Sequence, residues 1–122
     1  MSYTFYKILH ITAVLVIFAA LGGACLHAMN GGSREGSSGR GMVNILHGIG
    51  LFVALVGGFG LLARLGMATG WPGWVYAKLV IWLVVGGLLV LPYRKPEFAK
   101  PLLLSLPVLG LAAAWLAIAK PF

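Results

Sequence analysis

The sequence predicts an all-α integral membrane protein, an up-down four-helix bundle. Three observations point there. Hydrophobic residues make up 61% of the 122-residue chain, charged residues only 9%, and mean hydropathy is +1.00. A water-soluble domain of that length needs a far more polar surface, so the lipid bilayer is the natural solvent. The apolar residues fall in four runs, each near the ~20 residues that cross a hydrocarbon core. The connections are short, which makes consecutive helices antiparallel neighbours. No second domain or internal repeat is visible, so residues 1–122 read as one four-span domain.

The first span covers about Tyr6 to Ala28. Lys7, an apolar run and "LGGAC" ahead of Cys25 imitate an export signal with a lipoprotein-type cleavage site, but the segment is read as a true span. "NGGSREGSSGRG", residues 30–41, is rich in Gly and Ser and reads as a flexible loop. The second span runs from Met42 to Leu65, and "MATGWPG", residues 67–73, is a tight turn. The third runs from Trp74 to Val90. "PYRKPEFAKP", residues 92–101, is a charged turn in which Pro92 stops one helix and Pro101 starts the next. The fourth runs from Phe98 to Ala119, with a kink expected at Pro107 and a hydrogen bond within the helix from Ser105.

Nine Lys and Arg against two acids give a net charge of +7. Asp is absent and only Glu35 and Glu97 are acidic, so chemistry built on paired carboxylates has little support. No phosphate-cradling glycine loop, zinc motif or nucleophile elbow is present. The single Cys25 excludes an intrachain disulfide. The cations are spread over loops and helix ends instead of forming a patch, which argues for membrane topology and lipid headgroups and against nucleic acid. Four spans place both termini and the second loop on one side, side A, and the other two loops on side B. Side B holds Arg34, Arg40, Arg94, Lys95 and Lys100; side A holds Lys7, Arg64 and Lys120, with Lys78 inside a span. The positive-inside rule then makes side B cytoplasmic and leaves the termini outside, in a bacterial inner membrane. Trp71, Trp74 and Tyr76 fit an interfacial belt on side A.

Inside the spans the informative residues are polar: His10, His27, His47, Arg64 and Lys78. A charge at the bilayer centre costs about 2.5–3.5 kcal/mol, so each needs a reason. His10 and His27 lie 17 residues apart on one helix, about 25 Å, and cannot share a metal ion. His27 and His47, on adjacent antiparallel helices near side B, form the expected axial pair for a haem iron. Gly50, Ala54 and Gly57 make a small-residue stripe below His47. It serves either as a ledge for a porphyrin or as a helix-packing face. Arg34 and Arg40 are placed to meet haem propionates. On side A, His10 with Arg64 and Lys78 suits a second haem ligand, a proton relay or a contact to a quinone headgroup. Lys78 and Arg64 also read as cations snorkelling to water from helix ends. Lys78 sits near the N-terminus of its helix, where the dipole disfavours a cation.

"KILH" at 7–10, "ILHGIG" at 45–50 and "W-x-x-AKL" at 74–79 occur in that order on the first three spans. The pattern resembles the SirB-like family of small four-helix bacterial membrane proteins and, more distantly, the HemJ-type protoporphyrinogen oxidases and copper-resistance D-type membrane domains. It covers the chain through Tyr93. The HemJ-type resemblance implies haem b, with His10 and Lys78 at the positions of that family's early histidine and its tryptophan–lysine motif. Where that family carries a histidine just before the lysine motif, this chain has Tyr76 and Ala77. The functional expectation is a membrane-embedded haem b protein passing electrons, linked to a quinone. The alternative is a non-redox structural or assembly subunit of a larger membrane complex or homo-oligomer.

Overall fold

The computed structural model describes residues 2–31, 40–67 and 69–121. Arg34, a proposed propionate contact, lies outside the described residues. The chain folds into α1 (Tyr3–Met29), α2 (Arg40–Arg64), α3 (Gly73–Gly87), α4 (Val90–Arg94), a 3₁₀ turn (Pro96–Phe98) and α5 (Ala99–Ala119). Four helical segments are long and apolar enough to cross a membrane: Tyr3–Met29, Arg40–Arg64, Gly73–Arg94 and Pro96–Ala119. The all-α, four-span bundle is therefore as expected.

Local chemistry sets the ends. Ser2 caps α1, its Oγ accepting from the Phe5 N–H at 3.1 Å. At the end of α2, the Gly66 N–H donates to the Ala63 carbonyl at 3.2 Å and the Met67 N–H to the Leu62 carbonyl at 2.8 Å. Gly66 has φ +77°, and Met67 packs on the cluster containing Leu62. Together these features make a Schellman cap, which turns the chain sharply after α2.

Pro92 does not stop the third span. The helix breaks one turn earlier, at Leu88–Leu89, and resumes as α4 with Pro92 buried in its first turn. There the missing N–H of proline costs nothing, because first-turn N–H groups have no intrahelical acceptor. Pro107 sits inside a continuous α5. Ser105 Oγ donates to the Leu102 carbonyl at 2.7 Å, one turn back.

In space α1 pairs with α2 along most of its length, and α5 lies against both α1 and α3. The α2 and α3 backbones approach each other much less closely. The main core runs down one face of α1 through Ala13, Ile17, Leu21, Cys25 and Ala28, meeting Ala54, Val85, Leu102 and Leu106. A smaller cluster at side A joins Leu62, Trp74, Val75 and Leu116. Trp74 thus points inward instead of joining the interfacial belt, while Trp71 packs between Phe59 and Tyr76, its ring centre 5.2 and 5.6 Å from theirs.

Candidate functional site

The small-residue stripe on α2 is filled by α1. A Cβ at Gly50 would fall 2.8 Å from Ile17 Cγ1 and 3.2 Å from the Ala13 carbonyl oxygen. At Gly57 it would fall 3.1 Å from His10 Cβ and 3.2 Å from the His10 backbone. At Gly60 it would run into the Tyr6 ring. These glycines let two helix backbones touch, so Gly50 and Gly57 are no porphyrin ledge: no space for a ring remains between α1 and α2.

That contact fixes the axial register. Ile17 is level with Gly50 and His10 with Gly57. The same antiparallel register puts Ala20 level with His47 and His27 level with Arg40. His27 and His47 are therefore offset by seven residues of α1, about 10 Å at 1.5 Å per residue. His47 is 4% exposed, and its Nε2–H donates to the Val85 carbonyl of α3 at 2.9 Å. A bis-histidine haem needs both imidazoles at matching depth with a lone pair toward the iron. The offset does not fit a haem between His27 and His47 of one chain.

The Val85 carbonyl is one of the last four of α3, which have no intrahelical donor. His47 fills that need. One turn deeper, Trp82 Nε1–H donates to the Leu51 carbonyl of α2 at 2.9 Å. Two long side chains thus tie α2 to α3 across the seam where the backbones stay apart. Trp82 was not singled out from the sequence; the signal was an indole N–H that needs an acceptor inside an apolar span.

At side A, the His10 Nδ1–H donates to the Ala54 carbonyl at 2.7 Å. A carbonyl only accepts, so Nδ1 carries a proton, and in the neutral ring the lone pair is then on Nε2. The ring edge also packs on Gly58, where a Cβ would fall 3.3 Å from His10 Cε1. Lys78, in the second turn of α3, is half-buried. The Lys120 ammonium lies 5.4 Å from the centre of the Trp74 ring and donates to the Ala117 carbonyl at 2.7 Å. Arg64 ends α2 on the same side, exposed.

Arg40 opens α2 at side B, with its guanidinium carbon 5.7 Å from the centre of the Tyr93 ring. Among the described residues, no group of three or more His, Cys, Asp or Glu is placed to hold a metal ion. No family model matches the chain, and neither the curated proteins nor the solved structures contain a significant match.

Proposed function

We infer that this chain is a non-redox structural or assembly subunit of a larger membrane complex, seated in a bacterial inner membrane with side B toward the cytoplasm. The outward-facing glycines carry this reading. Gly23, Gly48 and Gly87 are exposed, and a Cβ on any of them would meet nothing within 4 Å. A mid-helix glycine costs about 1 kcal/mol relative to alanine. Gly50, Gly57 and Gly60 offset that cost by close packing inside the bundle; Gly48 and Gly23 gain nothing inside this chain. In membranes, small residues mark where another helix comes close. The polar side chains support the same reading, because His10, His47 and Trp82 all bond backbone carbonyls of neighbouring helices.

Blue-native electrophoresis of mildly solubilised membranes tests it. The wild type should migrate in a larger complex, and Gly48→Leu should release a folded monomer. A wild-type chain that is monomeric in its native membrane would sink the proposal.

A second reading keeps the redox assignment and moves it to side A. It rests on the His10 tautomer, whose Nε2 lone pair suits an iron ligand held in place by the Ala54 carbonyl. Lys78 and Lys120 would meet the propionates of a haem b, or Lys78 would donate to a quinone carbonyl. When bound, the haem would supply one-electron chemistry; the residues would ligate, orient and neutralise it. A reduced-minus-oxidised spectrum of protein from haem-replete cells should show an α band that is lost in His10→Ala and kept in His27→Ala. A wild-type spectrum without that band excludes this reading.

A further inference from the structure

At side B a cleft of about 260 Å³ opens where α2 begins and the third span breaks. Its polar wall is Arg40, Asn44, Tyr93 and Arg94, and its apolar wall is Leu89 and Val90. The break at Leu88–Leu89 positions both walls, with α4 carrying Tyr93 and Arg94 to face the first turns of α2. The His47–Val85 bond anchors α3 to α2 one turn below Asn44.

The cleft is set up for an anion. Two guanidinium groups line it and, among the described residues, no acidic side chain does. Arg40 Nε is buried, with no hydrogen-bond partner among the described residues. A buried charged N–H left unmatched costs more than a neutral one, so this atom calls for an acceptor. The start of α2 adds its own positive end, with no acid in the first turn. The apolar wall suits a ligand larger than a small ion. Val90 is 52% exposed beside the charged groups, at the end of a span where headgroups meet acyl chains.

We propose that this cleft is a binding site for one anionic phospholipid. Arg40 and Arg94 take the phosphodiester, for which the planar guanidinium fork is suited. Asn44 and Tyr93 offer further donors to the glycerol and headgroup oxygens, and Leu89 and Val90 receive the first carbons of an acyl chain. The site stands whether or not the chain docks on a partner.

Native mass spectrometry of the full chain in detergent, titrated with phosphatidylglycerol or phosphatidylcholine, tests the site. Phosphatidylglycerol should be retained preferentially. Arg94→Gln should lower its affinity about fivefold, and Arg40→Gln by at least as much. Arg94 is exposed, so its variant keeps the fold even if Arg40→Gln disturbs α2. Lys95→Gln, an exposed cation outside the cleft, should change nothing. Equal retention of the two lipids, or phosphatidylglycerol binding untouched by Arg94→Gln, overturns the proposal. Full displacement of the lipid by inorganic phosphate makes this a free-anion site instead. Lipid binding that appears only in Glu35→Gln names the loop carboxylate as the partner of Arg40, which also overturns it.

Discussion

His47 and Trp82 each donate one ring N–H to a carbonyl across the α2–α3 seam, at 2.9 Å. Such bonds contribute about 0.6 kcal/mol on average in a membrane bundle, reaching ~1.7. His47→Ala also leaves a cavity at a buried position, so the expected loss is about 1–3 kcal/mol, read from SDS titration in mixed micelles. His47→Gln keeps a donor and should lose less; equal losses in the two variants would count against the Val85 bond. The sequence showed that the histidines needed a reason for being in a span, but it did not give their partners. Counted from the span ends, His27 and His47 both fall near side B, at broadly similar depth. Their offset is set by Ile17 against Gly50, a contact between helices that no local pattern encodes.

Helix ends were more legible than the middles. The four spans follow from apolar run length, and "MATGWPG" marks the turn after α2. Pro92 was misread because a proline looks the same whether it stops a helix or sits in the first turn of a new one. Which holds depends on where the preceding helix breaks, here at Leu88–Leu89. The Schellman cap offers a paired test. Gly66 has φ +77°, so Gly66→Ala should cost about 1–2 kcal/mol and raise hydrogen exchange at Leu65 and Met67. Gly41 is helical with open space around it, so Gly41→Ala should stabilise α2 by up to ~1 kcal/mol. If both substitutions have the same sign, the cap is not what sets the end of α2.

For the whole molecule, four spans put the termini on one face, and the orientation proposed above, side B toward the cytoplasm, puts that face outside. Arg40, Arg94, Lys95 and Lys100 gather at side B, with Arg34 in the loop beside them in the sequence. A C-terminal alkaline phosphatase fusion should therefore be active and a C-terminal green fluorescent protein fusion dark; the opposite pair of results reverses the orientation. The bonds from His10, His47 and Trp82 also divide tolerance unevenly between their ends. Every acceptor is a main-chain carbonyl, which any residue at Leu51, Ala54 or Val85 supplies equally well. The donors have no such freedom. A saturation mutagenesis scan should thus find His10, His47 and Trp82 restricted by chemistry, and their counterparts on the neighbouring helices restricted by size alone.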